Sequence, residues 1–194
     1  GDFYEAMNVA GAWHLPVVFV ITNNQWAISL SRKSQSNAET LAQKGIAAGI
    51  PCQQVDGNDI VAMCDVMEKA LQRARDGKGP TVIEAITYRL HDHTTADDAA
   101  RYRPVAEVEL AWQAEPVKRL RLYMESLGFW DQEKEAALLA DCQAEVDVAV
   151  QAYFASEAEP VTAMFDYQFA TLPHHLVAQR ETAEAFAATV SNKH

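Results

Sequence analysis

Apolar positions along the first hundred residues follow two different rhythms. Phe3, Met7, Ala10 and Trp13 fall three or four residues apart, which predicts a helix over residues 2–14; Asp2 is placed to cap it and Pro16 to end it. Residues 17–22, VVFVIT, are instead continuous and rich in β-branched side chains. That is the pattern of a strand buried on both faces in a parallel sheet covered by helices. A short helix is expected over 37–48, stopped by Gly49 and Pro51, followed by a short strand at 52–55, CQQV. Asp56-Gly57 supplies turn chemistry, and Asn58 or Asp59 caps a helix running to about Arg75. Its apolar face is read as Ile60, Met63, Cys64, Met67 and Leu71, with Gly77 and Gly79 at its end. PTVIEAITYRL, residues 80–90, is the third expected strand.

Strands alternating with helices over short connections predict an α/β fold with a mostly parallel sheet flanked by helices. Ligands of such sheets sit beyond the carboxyl ends of the strands, so the segments just after residues 22 and 90 are where chemistry is expected. After residue 104 the pattern becomes helical, over 105–114, 116–127, 131–156 and about 176–190. Pro116 suits a first turn, and Gly128 and Asp131 separate two of these helices. Two regions are therefore expected: an α/β domain over 1–103, and a helical packing and subunit-contact region over 104–194.

Composition narrows the function classes. A net charge of −11 argues against nucleic acid as a partner, because phosphate binding needs clustered Lys and Arg. No apolar run approaches the roughly 20 residues of a membrane-spanning helix, and no signal peptide is visible. Cys52, Cys64 and Cys142 are scattered without a CxxC pair, which suits a reduced cytoplasmic setting and core-filling thiols. The opening GDFYEAMN, with no Met, reads as a start inside a larger fold, so that any site here is expected to be part of one.

Two loops carry the candidate chemistry. TNNQWAIS, 22–29, ends an apolar strand on two amides. Such a segment is either a turn, since Asn tolerates left-handed conformations, or a set of hard oxygen ligands suited to Mg²⁺ or Ca²⁺ bridged to phosphates. HDHTTADDAARYR, 91–103, holds two histidines, two threonines, three acids and two arginines. It reads either as a solvated polar loop or as a catalytic or phosphate loop. His91 and His93 alone make a weak metal site, because no further His lies near them in the chain. Asp97, Asp98, Arg101 and Arg103 can knit the loop to itself. His14 is read as a helix-end cap, His174-His175 as loop residues and Trp130 as a packing anchor.

Taken together and in order, GDFYEAMNVAGAW, LPVVFVITNNQWAIS, VDGND and IEAITYRLHDHTTADDAARYR resemble the alpha subunit of the thiamine diphosphate-dependent 2-oxo acid dehydrogenases. That subunit belongs to the decarboxylating component of the pyruvate and branched-chain complexes. The resemblance is near-continuous over 1–131 and fainter to the C-terminus, through MFDYQFATLPHHLVAQ. It implies the C-terminal portion of a thiamine diphosphate-binding fold, with thiamine diphosphate and Mg²⁺ as cofactors. Asn24 through its side-chain oxygen and Trp26 through its backbone carbonyl would be metal ligands. Asn24, Trp26, Ile28 and His93 would contact the cofactor, and His93 would serve catalysis. The family's opening Gly-Asp-Gly, with its acidic metal ligand, is expected before residue 1. Thr22 stands where some relatives carry a phosphate-binding Arg, and His91-Asp92 where many carry Gly-Pro or Gly-His. Thr94 stands where animal relatives carry a phosphorylated Ser. Asp97, Tyr102 and Arg103 match residues that order the loop.

The implied chemistry is oxidative decarboxylation of a 2-oxo acid, most simply pyruvate, with the cofactor ring as electron sink and acyl transfer to a lipoyl group. A branched-chain or acetoin dehydrogenase alpha subunit and an inactive fragment are the alternatives. The implied partners are a beta subunit, in an alpha2-beta2 assembly, and a lipoyl-bearing acyltransferase, with no nucleic acid and no membrane. The implied setting is the bacterial cytoplasm or, in a eukaryote, the mitochondrial matrix.

Overall fold

A computed structural model describes residues 1–191; the last three positions of the expected helical region, 192–194, lie outside the described residues. Two compact units are present, Gly1–Asp131 and Gln132–His194.

In the first unit, α1 (Asp2–Ala12) leads to β1 (Val18–Asn23), a two-stranded hairpin of β2 (Trp26–Ala27) and β3 (Leu30–Ser31), and a single turn, α2 (Arg32–Gln35). A 3-10 segment, Ala42–Ala48, precedes β4 (Cys52–Asp56), α3 (Ile60–Arg75) and β5 (Thr81–Ile86). A 3-10 turn, Ala99–Arg101, and the helices α4 (Val105–Gln113) and α5 (Pro116–Ser126) complete it. The main sheet runs in the order β1-β5-β4, all parallel, with Asn23 opposite Ile86 and Asp56 opposite Ile86. This is the α/β arrangement expected from the strand–helix alternation.

Side-chain alternation along β5 feeds two cores. Ile83 and Ala85 pack with Val55 and Ala70, and with Met63, Val66 and Met67 of α3. Val82 packs with Met7 and Ile50 on the opposite face. α1 crosses close to the 3-10 segment because position 11 is Gly; a Cβ there would collide with the Ala48 carbonyl.

The structure corrects several local expectations. β1 is an edge strand and is not buried on both faces, since Val20 is 45% exposed; that burial belongs to the central β5. The packed face of α3 contains Met63, Val66, Met67, Ala70 and Ala74, while Ile60, Cys64 and Leu71 are exposed. Small Ala70 and Ala74 let the helix approach the sheet, so the widest apolar residues did not mark the contact. Cys64 and Cys142 are exposed and fill no core. The helix expected over 37–48 shortens to the 3-10 segment, because the Arg32 guanidinium binds the Ala38 and Glu39 carbonyls and holds the preceding stretch as a loop. Strand pairing ends at Ile86, beyond which the Arg103 guanidinium takes the carbonyls of Arg89, Leu90 and His91. Gly1 is the cap position of α1, and Asp2 lies inside the helix without a capping bond. Asp59 caps α3 through the N–H groups of Val61 and Ala62.

The second unit contains α6 (Gln132–Ala155), α7 (Ala163–Asp166) and α8 (His174–Ser191). His174 and His175 open α8 instead of lying in a loop. No residue from 132 to 189 is fully buried. Arg180 joins α8 to α7 through Asp166 at 3.1 Å. Among the described residues no helix is long and apolar enough to cross a membrane.

Candidate cofactor site

β1 and β5 are parallel neighbours, so the segments leaving their carboxyl ends emerge at the same edge of the sheet. β1 ends on Asn23, which is buried, and the chain turns at once. The Asn24 side-chain oxygen accepts from the Trp26 N–H at 3.0 Å, and the Asn23 oxygen accepts from the Gln25 N–H at 3.2 Å. Each amide thus closes a turn over the residue two positions on. Gln25 and Ile28 take left-handed φ values of 70° and 54°. The reversal at Ile28-Ser29 closes the β2–β3 hairpin, with Trp26 opposite Ser31. Thr22, Asn24, Trp26, Arg32 and Gln35 line a cleft of about 220 Å³ at this strand end.

The segment after β5 lies against this turn. The Thr87 N–H donates to the Asn23 carbonyl at 2.9 Å, and the Arg89 N–H to the Asn24 carbonyl at 3.2 Å. Trp26 Nε1 donates to the Tyr88 hydroxyl at 3.3 Å. The Trp26 and Tyr102 rings meet at 5.6 Å. The Arg89 guanidinium bridges the Ile28 carbonyl at 2.9 Å and the Tyr102 hydroxyl at 2.8 Å. The amide turn and the histidine loop are therefore joined through Tyr88, Arg89 and Tyr102.

The histidine loop is ordered from within. Asp97 Oδ2 accepts from the His93 N–H at 2.9 Å and from the Tyr102 hydroxyl at 2.5 Å. The Tyr102 hydroxyl and the His93 N–H hold the Asp97 carboxyl below its usual range. Desolvation, then Asp97, pushes the Tyr102 phenol up. Asp92 accepts from the Ala99 N–H at 3.0 Å, and His91 meets the edge of Trp112 at 5.2 Å. His91 and Asp92 thus serve as internal struts of the loop. Arg103 is 6% exposed and sits over the Tyr88 ring at 5.7 Å. His93, Thr94 and Thr95 are exposed.

Of the residues singled out in the sequence, Asn24, Trp26 and Ile28 share one turn, and His93 lies on the loop tied to it. Tyr88 and Arg89 were missed, and so was Glu84, a buried acid that accepts from the Asn23 side-chain NH₂ at 2.7 Å. Glu84 was the legible one, as a lone acid inside the apolar VIEAI. His14 caps the end of α1, with Nδ1 at 3.0 Å from the Gly11 carbonyl. Trp130 is half-buried. Among the described residues no group of three or more His, Cys, Asp or Glu side chains is placed to hold a metal ion.

A family model described as "Dehydrogenase E1 component" matches residues 1–162, and the chain belongs to that family. The family is thiamine diphosphate-dependent. The chain is 42% identical over 183 residues to the pyruvate dehydrogenase E1 component subunit alpha of Staphylococcus epidermidis, a match covering 93% of this chain and 49% of that protein. It is similar, with the same coverage, to the proteins of that name from Bacillus subtilis, at 42% identity, and Staphylococcus aureus, at 41%. The chain spans about half the length of the curated relatives it matches.

Proposed function

We propose that this chain is part of the alpha subunit of a 2-oxo acid dehydrogenase and that it holds the diphosphate end of thiamine diphosphate. The observation that carries the reading is the amide turn of Asn24 at the carboxyl end of β1, tied to the histidine loop at the carboxyl end of β5. The donor set fits the group. The Asn24 side-chain oxygen accepts one N–H and keeps a second lone pair, and backbone carbonyls follow it at a left-handed turn. These are hard, neutral oxygens suited to Mg²⁺. Asn24 and the Trp26 carbonyl would hold the ion, and Ile28 and His93 would contact the cofactor. The acidic ligand that the resemblance implies would come from the half of the subunit that the match to the relatives leaves uncovered.

The bound group supplies an electron sink for decarboxylation of the 2-oxo acid. His93 would orient the reacting atoms and move a proton there, from a loop that Asp97 and Tyr102 keep ordered. The names of the relatives favour pyruvate as substrate over branched-chain 2-oxo acids or acetoin. A beta subunit, completing an alpha2-beta2 site, and a lipoyl-bearing acyltransferase would be the partners. We assign the helices over 104–194 to packing and subunit contact. The bacterial relatives favour the cytoplasm over the mitochondrial matrix.

Asn24→Ala, made in the full-length subunit paired with its beta subunit, tests the ligand assignment. Titration of the cofactor and Mg²⁺ by tryptophan quenching should show affinity weakened roughly tenfold or more. Unchanged affinity would remove Asn24 from the site.

A further inference from the structure

Glu84 sits in the middle of β5 and is 0% exposed. Three neutral donors from three other segments converge on its carboxylate. Asn23 Nδ2 of β1 donates to Oε1 at 2.7 Å. The Ala42 N–H of the 3-10 segment and Gln54 Nε2 of β4 donate to Oε2 at 2.8 and 3.1 Å. With its nitrogen held by Glu84, the Asn23 amide turns its oxygen to the Gln25 N–H at 3.2 Å. Gln25 Nε2 returns to the Asn23 carbonyl, also at 3.2 Å. Gln25 is the left-handed residue lying between Asn24 and Trp26. A continuous line of hydrogen bonds thus runs from the sheet interior to the turn assigned to the cofactor.

We propose that Glu84 is a positioning residue that fixes the Asn24–Ile28 turn by locking the Asn23 amide; its bearing on cofactor binding rests on the reading given above for that turn. It is buried behind the site and acts only through Asn23 and Gln25. The side chain must be a carboxylate because only acceptors are wanted. A glutamine offers one accepting oxygen and one NH₂. With its nitrogen toward Asn23, that amide must flip, which sets its NH₂ against the Gln25 N–H. With its nitrogen on the other side, it faces the Ala42 N–H, which cannot rotate. Either arrangement leaves two donors opposed, at a part-buried contact in the first and a buried one in the second. Exchanging the two groups removes the conflict. In Asn23→Asp/Glu84→Gln, the carboxylate at position 23 accepts from the amide at position 84 and from the Gln25 N–H. The amide oxygen at 84 then accepts from Ala42 and Gln54.

The test is hydrogen exchange, followed by mass spectrometry, on the full-length subunit assembled with its beta subunit and free of cofactor. Glu84→Gln should speed exchange over residues 23–31 about tenfold or more. The helix over 60–75 serves as the internal control and should not change. The double variant should return the turn to near wild-type protection, which a merely destabilised core would not do. Unchanged exchange in Glu84→Gln, or a double variant no better than the single, overturns the proposal. If Glu84→Gln fails to assemble, the double variant is still expected to assemble, and failure of both also overturns it. Cofactor affinity separates the two layers of argument. Faster exchange with weakened affinity in Glu84→Gln supports both. Faster exchange with unchanged affinity supports the positioning role and refutes the turn as a cofactor holder.

Discussion

At the scale of single residues, the histidine loop depends on one carboxylate with two donors. Asp97 is held below its usual range mainly by the Tyr102 hydroxyl and then by the His93 N–H. A depressed folded-state value means the stabilisation is present above the ordinary carboxylate range and is lost as pH falls through that lowered value. The Tyr102 phenol is shifted up, so its contribution is present below the ordinary tyrosine range and is lost as pH rises through the raised value. The loop should therefore keep one level of protease resistance from roughly pH 5 to pH 9. Asp97→Ala should open residues 91–103 to cleavage throughout that window, and an unchanged cleavage pattern would show that Asp97 does not order the loop. The groups of this site that carry local chemistry were legible in the sequence: Asn24 after an apolar run, and the acids and arginines of the loop. Arg89 and Tyr88 were not, because their roles depend on partners more than sixty residues away, at Ile28 and Trp26.

At the scale of elements, periodicity located the three main strands and the long helices but missed what non-local contacts decide. The β2–β3 hairpin has only two residues per strand, too few for any alternation to register. α3 was legible from its cap and spacing, and Met63 and Met67 of its expected face do pack, but Ile60, Cys64 and Leu71 are exposed and the small Ala70 and Ala74 are buried instead. Closeness governs the β4–α3 connection. Gly57 donates to the Ile86 carbonyl at 2.8 Å. A Cβ at position 57 would lie 2.5 Å from the Thr87 methyl, 2.9 Å from the Ile86 carbonyl oxygen and 3.1 Å from the Ala85 Cβ. Backbone on one side of that contact cannot yield without disturbing the end of the sheet that positions both loops. Gly57→Ala should cost about 1–3 kcal/mol, read as a lower urea midpoint, and a midpoint equal to wild type would mean the turn relaxes freely.

For the molecule as a whole, the second unit poses a different physical problem from the first. Its longest helix, α6, exposes Leu138, Cys142, Val146, Val150 and Tyr153, which recur every three or four residues and so form one stripe. None of residues 132–189 is fully buried, so among the described residues this unit shows no core of the kind that gives a helix most of its stability in a folded protein. On the reading that these helices are subunit-contact material, their order should depend on the beta subunit. Hydrogen exchange over 132–155 should be fast in this chain alone, well above that of β5, and should slow on addition of the beta subunit. Val146→Asp, a charge in the centre of the stripe, should block that slowing while leaving exchange in β5 unchanged. Equal protection of 132–155 with and without the beta subunit would refute the assignment, because a stripe that gains nothing from a partner is not the surface that receives it.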